Sequence, residues 1–244
     1  MTMRESQSLD GQNVKFKVLV LDVDGVLSEH GEPIPDNIIF LLRQLSKKIK
    51  IVLASGKSVS YLEGLARGMG VQIESIIGEN GGCIFFPKEN KEINFLQFNP
   101  KFKGELEKMR KEVEIRLEGR FWSRENKTVI TLLPTPSWNV EYIEDVCRRV
   151  IDEKALNLNL ALYSFAVQIL PRGLNKGWAV SKLSEALNCP LNEFIAVGND
   201  EVDVPMLKIV GLPISVGNNK VIKEVSKLNF ESGDMVLKYV SKIV

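Results

Sequence analysis

Short runs of apolar, strand-forming residues alternate with amphipathic segments along the first third of the chain. The runs at 14–22 and 50–55 are rich in Val, Ile and Leu, and two further short strands are predicted within 74–87. Apolar residues three and four apart predict a helix that begins at Asp36, and a second helix is predicted from Val59 until a glycine ends it. This alternation of strands and helices is typical of a parallel α/β sheet.

From about Lys88 the pattern changes, and it returns to strand–helix alternation after Pro171. The middle part predicts an αβ-αββ arrangement, in which Ser137 is the expected N-cap of the second helix. The predicted elements there are a helix at 99–118, a strand at 126–134, a helix at 137–154 and strands at 158–164 and 165–171. Such elements suit a small sheet with helices on one face.

The fold class predicted from these patterns is α/β, with a Rossmann-like parallel-sheet core domain and an inserted smaller α+β domain. We expect residues 14–84 and 170–244 to form the core domain and residues 85–169 to form the insertion. The polar residues 1–13 are expected to form a frayed N-terminal arm, and they resemble neither a signal peptide nor a transit helix.

The amino-acid composition limits which partners the protein is expected to bind and which kinds of catalytic chemistry it can use. Lys plus Arg (32) nearly balances Asp plus Glu (31), so no nucleic-acid partner is expected, and no apolar run is long enough to span a membrane. Three scattered cysteines without a CxxC motif favour a cytoplasmic location. The single histidine, His30, disfavours multi-histidine metal sites, so chemistry here is expected to use carboxylates, lysine and hydroxyls.

The apolar stretch VLVLDVDGVLS ends in two carboxylates, Asp22 and Asp24, one residue apart. Ligands of open parallel sheets bind beyond the carboxyl ends of the strands, and a side-chain period of two lets both carboxylates face the same way. Two close carboxylates repel each other unless a cation lies beside them, and Mg²⁺ prefers such oxygen ligands. A solvated turn explains this segment equally well when it is taken alone.

Three further segments place polar groups at strand or helix ends. Ser55 and Gly56 follow the second strand, where a hydroxyl and a backbone N–H suit a phosphate oxygen, although an N-cap is the alternative. Lys176 is predicted at the N-terminus of a helix, where a cation is unfavourable unless an anion lies nearby. The alternative interpretation is that Lys176 is an exposed lysine in a loop. The acidic segment 199–203 follows an apolar strand, and a solvated helix N-terminus explains only part of it.

In this order, the four segments resemble those of the haloacid dehalogenase superfamily of phosphohydrolases, over residues 14–82 and 168–244. The resemblance implies that Asp22 is the nucleophile that forms an aspartyl-phosphate and that Asp24 is the general acid and base. It also implies that Ser55 and the backbone of Gly56 hold the phosphoryl group, while Lys176 offsets its charge.

The fourth segment departs from the family pattern, because Asn199 stands where relatives often carry an aspartate. The resemblance implies that Mg²⁺ binds to Asp22, the carbonyl of Asp24, and Asn199 or Asp200. Asp203 would bind it directly or through water. An amide contributes no negative charge, so metal affinity is expected to be weakened.

The insertion lies between the second of these motifs, at Ser55 and Gly56, and the third, at Lys176. This position is similar to that of the type-two (C2B) cap of this superfamily. Such caps close over small phosphorylated metabolites, and Arg172 is a candidate substrate contact. The resemblance therefore implies a Mg²⁺-dependent phosphatase that acts on phosphoglycolate or a sugar phosphate. A phosphomutase and a catalytically weak member that binds phosphorylated ligands remain alternatives, and a dinucleotide-binding protein is disfavoured because no GxGxxG follows the first strand. Both a monomer and a homodimer remain open.

Overall fold

A computed structural model describes residues 15–244 of the protein, which contain two β-sheets. The strands are β1 (Val18–Leu21), β2 (Lys50–Ala54), β3 (Ser75–Gly78), β4 (Cys83–Phe86), β5 (Lys91–Asn94), β6 (Phe121–Arg124), β7 (Ile130–Pro134), β8 (Leu158–Tyr163), β9 (Ala166–Pro171), β10 (Phe194–Gly198), β11 (Leu212–Val216) and β12 (Leu228–Phe230). The α-helices are α1 (Asp36–Leu45), α2 (Val59–Met69), α3 (Phe95–Phe98), α4 (Lys101–Arg116), α5 (Val140–Glu153), α6 (Lys176–Leu187), α7 (Val204–Leu207), α8 (Lys220–Glu224) and α9 (Gly233–Ile243).

The larger sheet has the strand order β12-β11-β10-β1-β2-β3-β4-β5, and its first six strands run parallel. Strand β1 lies between β10 and β2, with Leu21 paired to Val197 on one side and to Leu53 on the other. These three strands therefore end together, and the residues that follow them meet at one edge of the sheet.

Both faces of the larger sheet are covered by helices, as parallel sheets require. Leu19 and Leu21 pack toward α1, α2 and α9, whereas Val18 and Val20 pack toward α6, α7 and α8. This division follows the side-chain period of two along the strand. The predicted α/β fold with a Rossmann-like core is confirmed.

The smaller sheet is antiparallel, has the order β6-β7-β9-β8, and packs one face against α4 and α5. Buried apolar side chains from both helices and from β7 and β9 form a separate core there. The opposite face turns toward the strand ends of the larger sheet, and its residues Thr131 and Gln168 line a cavity between the two sheets. The inserted smaller α+β unit is thus present.

The structure corrects one prediction about a helix start. Ser137 is not the N-cap of α5; the helix begins at Val140, and the side chain of Asn139 accepts a hydrogen bond from the backbone N–H of Tyr142 at 2.9 Å. Residues 135–138 instead form a turn in which the N–H of Trp138 donates to the carbonyl of Thr135. Asn and Ser cap helices about equally well, so the turn decides which one does.

Three strands, β5, β6 and β12, were not predicted. Of these, β6 lies in the inserted unit, which after the short helix α3 is therefore αββ-αββ rather than αβ-αββ. All three lie at sheet edges and have three or four residues, most of them partly exposed. Their sequences, KEIN, FWSR and LNF, are too short and too interrupted by polar residues to give the apolar run that marks the buried strands.

Strand pairing extends the larger sheet through β5 to Asn94, so we propose that the insertion begins after that residue rather than at 85. The domain boundaries as a whole stay predictions. The predicted arm at 1–13 lies outside the described residues. Within 15–244 no helix has the length and apolar character needed to cross a membrane.

Candidate active site

The ends of three adjacent parallel strands bring the predicted site residues together. Asp22 follows β1, Ser55 follows β2 and Asn199 follows β10. They open into a cavity of about 410 Å³ between the two sheets. Core residues lining it include Asp22, Asp24, Gly25, Glu29, His30, Ser55, Gly56, Lys57, Asn80, Lys176, Asn199 and Asp200, and the smaller sheet contributes Arg124, Thr131, Leu162, Tyr163, Ser164, Phe165, Ala166 and Gln168.

Lys176 is fully buried and joins two carboxylates. Its Nζ donates to Asp22 Oδ1 at 2.8 Å and to Asp203 Oδ1 at 2.5 Å. Burial alone would lower the pKa of Lys176, but the two carboxylates outweigh it and hold that pKa above its usual range. Burial, followed by the charge of Asp203, raises the pKa of Asp22 to about 7 although Lys176 opposes the shift. The lysine is therefore the fixed positive charge of the site.

Asp203 is buried behind this lysine. Its Oδ2 accepts backbone N–H groups from Asn199 at 3.0 Å and from Asp200 at 3.2 Å. Both of its oxygens thus have protein partners, which favours a role in holding the loop after β10 and the head of α6. A contact between Asp203 and a metal stays a prediction.

The amide of Asn199 lies 2.9 Å from the carbonyl oxygen of Asp24 and 3.1 Å from Asp22 Oδ2. In one orientation its nitrogen donates to both oxygens; in the other, three oxygen atoms converge. Adjacent ligands of an octahedral Mg²⁺ lie about 3.0 Å apart when each metal–oxygen bond is about 2.1 Å, so these two separations match that ion.

This candidate metal centre contains one carboxylate, one carbonyl and one amide. Within residues 15–244 no three His, Cys, Asp or Glu side chains are grouped as a metal site. Asp200 lines the cavity, but it is exposed and its Oδ1 accepts the N–H of Glu201 at 2.7 Å. Asn199 is therefore better placed than Asp200 to join Asp22.

The turn after β1 fixes Asp24. Gly25 has φ of +80°, and a side chain there would collide with Asn199, so only glycine suits this position. Asp24 contacts the ammonium group of Lys57, and its Oδ1 lies 3.4 Å from His30 Nδ1. Sequence reasoning missed Lys57 and assigned no role to His30, although Lys57 directly follows the predicted Ser55–Gly56 segment.

His30 also touches the smaller sheet. Its ring stacks on Phe165, in the turn between β8 and β9, with centroids 4.1 Å apart. The single histidine of the chain thus lies where the inserted unit meets the Asp24 loop.

A buried network of amides, also not predicted, joins the inserted unit to the second motif. Gln168 Nε2 donates to the carbonyl of Gly56 at 3.1 Å and to Thr131 Oγ1 at 2.9 Å. Asn80 Nδ2 donates to Gln168 Oε1 at 2.7 Å and to the hydroxyl oxygen of Tyr163 at 2.5 Å. No local pattern around Asn80 predicts these bonds, because its partners lie about 80 residues away along the chain.

A second contact between the sheets is made by Glu79, which is almost fully buried. Its carboxylate accepts the backbone N–H of Lys127 at 2.9 Å, and the N–H and hydroxyl of Thr128 at 2.7 and 2.6 Å. These bonds hold residues 127–128, which lie just before β7, against the turn after β3.

The structure does not bring Arg172 into the cavity. This residue follows β9, is exposed, and is absent from the lining, whereas Arg124, at the end of β6, is one of the lining residues. Arg124 was missed because its edge strand was missed.

Comparison with known proteins agrees with this geometry. A family model described as haloacid dehalogenase-like hydrolase matches residues 19–131 and 99–232. Curated relatives named phosphoglycolate phosphatase include one from Methanoculleus marisnigri, 28% identical over 84% of this chain and 86% of its own length. Another, from Picrophilus torridus, is 30% identical over 89% of this chain and 86% of its own length.

Solved structures share the fold. The protein 0175 of Thermoplasma acidophilum aligns with a TM-score of 0.73 and 22% identity, covering 94% of this chain and 98% of its own. The subclass IIB sugar phosphatase BT4131 aligns with a TM-score of 0.67 and 16% identity, covering 93% and 100%. With the family model covering most of the chain, this protein belongs to the haloacid dehalogenase-like hydrolases.

Proposed function

We propose that the protein is a Mg²⁺-dependent phosphatase that hydrolyses a small phosphorylated acid, with phosphoglycolate as the leading candidate. The observation that carries this proposal is the buried carboxylate of Asp22, held by Lys176 beside the oxygen cluster of Asp24 and Asn199. The relatives named phosphoglycolate phosphatase support the choice of substrate.

In the first proposed step, a carboxylate oxygen of Asp22 attacks phosphorus, and the bond between phosphorus and the ester oxygen breaks. Asp24 gives its proton to the leaving oxygen. In the second step Asp24 takes a proton from water, whose oxygen attacks phosphorus and releases inorganic phosphate from Asp22. The contacts of Asp24 with Lys57 and His30 keep its carboxyl group at the cavity wall.

Positioning and charge neutralisation are expected to supply most of the rate. Mg²⁺ bound to Asp22, the Asp24 carbonyl and Asn199 would offset charge on the phosphoryl oxygens. Lys176 adds a buried cation on the other side of Asp22, and Ser55 with the Gly56 backbone borders the same space. Asp203 keeps Lys176 in place from behind.

The dimensions and charge of the cavity support a small anionic substrate. Its volume of about 410 Å³ lies near the lower end of ligand pockets. Arg124, from the smaller sheet, is one of the residues that line it. A guanidinium group pairs well with a carboxylate, which favours a phosphorylated acid over a neutral sugar phosphate.

The direct test is phosphate release by the purified protein with Mg²⁺. We expect turnover of phosphoglycolate, loss of that turnover with EDTA, and recovery when Mg²⁺ is restored in excess. Sugar 6-phosphates, phosphoglycerates and p-nitrophenyl phosphate complete the panel. Absence of phosphate release from every compound would refute the proposal, and transfer of phosphate between sugar positions would indicate a phosphomutase.

Replacing Arg124 with methionine is expected to raise the KM for phosphoglycolate about tenfold or more, since a charge-assisted hydrogen bond contributes about 1.5–3 kcal/mol. The KM for p-nitrophenyl phosphate, which lacks a carboxylate, should change less than about twofold by the same reasoning. Arg172→Met is the matched control, because that arginine lies outside the cavity. A larger effect at Arg172 than at Arg124 would contradict this assignment.

A further inference from the structure

We propose that Tyr163 is a further catalytic residue, whose hydroxyl donates a hydrogen bond to the phosphoryl group during transfer. This inference rests on the proposed phosphatase function. Tyr163 ends β8 in the inserted unit, whereas the nucleophile Asp22 belongs to the core. The donor therefore comes from the opposite wall of the cavity.

The hydroxyl of Tyr163 lies against the segment expected to hold phosphate. A Cβ atom built on Gly56 would be 2.9 Å from Tyr163 Oη, so the hydroxyl abuts the backbone of that glycine. Tyr163 also lines the same cavity as Asp22 and Ser55. A phosphoryl group bound at Ser55 and Gly56 would thus be within reach of this oxygen.

The orientation of the hydroxyl proton follows from a chain of hydrogen bonds that begins at a backbone group. The carbonyl of Gly56 can only accept, so the group of Gln168 that faces it must be the amide nitrogen. The oxygen of Gln168 therefore faces Asn80, which must present its own nitrogen there. That nitrogen donates to Tyr163 as well.

Because the oxygen of Tyr163 accepts from Asn80, its proton must point elsewhere. Within residues 15–244 no acceptor receives this proton, so it is left for a ligand in the cavity. The Oδ1 atom of Asn80 is also buried and unpartnered, which shows that this wall is not saturated by protein contacts. Burial raises the pKa of Tyr163, which keeps the hydroxyl protonated as a donor at neutral pH.

A neutral donor at this place would stabilise charge on a phosphoryl oxygen as transfer proceeds. Lys176 and the proposed metal site lie on the side of the cavity formed by the core, so Tyr163 adds a hydrogen-bond donor on the side formed by the inserted unit. The network through Asn80 and Gln168 holds the donor against Gly56 before substrate arrives, so little reorganisation is needed.

The test is Tyr163→Phe, which keeps the ring and removes only the hydroxyl. We expect kcat/KM to fall about 100-fold, as for loss of one oxyanion donor, and by the same factor for phosphoglycolate and p-nitrophenyl phosphate. The two compounds share only the phosphoryl group. Inhibition by inorganic phosphate should weaken about tenfold, because the variant loses a hydrogen bond to a charged group.

Tyr142→Phe is the matched control, since that hydroxyl, on α5, contacts Arg120 and not the cavity; its kcat/KM should stay at the wild-type value. Unchanged kcat/KM in a folded Tyr163→Phe protein, or a loss confined to phosphoglycolate, would overturn the inference. If the wild type releases no phosphate, the proposed function fails separately. Equal Kd values of wild type and Tyr163→Phe for inorganic phosphate with Mg²⁺ would then overturn the role of Tyr163.

Discussion

Replacing Asp22 with asparagine is expected to reduce phosphate release by about 10⁴-fold or more, because removing a covalent nucleophile abolishes the step that others depend on. The amide has the same shape as the carboxylate but cannot form the acyl phosphate at a useful rate. The measurement is phosphate release from p-nitrophenyl phosphate and phosphoglycolate at saturating Mg²⁺. Residual activity above about one part in a hundred would contradict covalent catalysis by Asp22.

The same variant should remain folded, which separates lost chemistry from lost structure. Burial raises the pKa of Asp22 to about 7, so the ionised carboxylate is less favourable in the folded chain than in water. A neutral amide avoids this cost, and Lys176 keeps its bond to Asp203. We therefore expect an unchanged or higher Tm without metal. Asp36→Asn, at the start of α1, is the control for activity.

The second large effect is expected for Lys176→Met, which removes the side chain that, among residues 15–244, joins Asp22 to Asp203. Breaking a buried ion pair by removing one partner costs about 3–5 kcal/mol of unfolding free energy, because it leaves a buried charge without compensation. Here two buried carboxylates would face each other. Activity should fall about 10³-fold, since a fixed cation at the reacting group is lost.

Denaturant unfolding and phosphate release measure the two effects together. Lys238→Met is the matched control, because Lys238 pairs with Asp234 on the exposed side of α9. That pair should contribute less than about 1 kcal/mol and leave activity unchanged. Equal stability of the two variants would show that Lys176 does not compensate the buried carboxylates. Full activity of the Lys176→Met variant would show that Lys176 is not needed for catalysis.

The residues at the strand tips were predictable because their signal is local. An apolar run followed at once by Asp22 and Asp24 marks a strand that leaves the core at a polar edge. The carboxyl ends of all strands in a parallel sheet lie at the same edge, so Ser55 and Asn199 are expected at the edge that carries Asp22. The structure brings these residues together, with Lys176 bonded to the first of them.

The contacts between the two sheets were not predictable in the same way. The sequence around Tyr163 and Gln168 predicts only two strands of a small sheet, and the sequence around Asn80 predicts only a turn. Their hydrogen bonds join positions about 80 residues apart, and no pattern within either segment records the partner. The exposed edge strand that carries Arg124 was missed for a related reason, because only its first two residues are apolar and, in the described part of the chain, it pairs only with β7.

By itself, the sequence determined the α/β core, the order of the four motifs and the acidic edge around Asp22, because strand burial and chain order leave a local, periodic pattern. Only the tertiary structure decided which groups face that edge from the inserted unit. It placed Arg124 rather than Arg172 in the cavity and Tyr163 against Gly56. Such choices depend on how two separately packed sheets meet, and that is set by long-range contacts rather than by the composition of either segment.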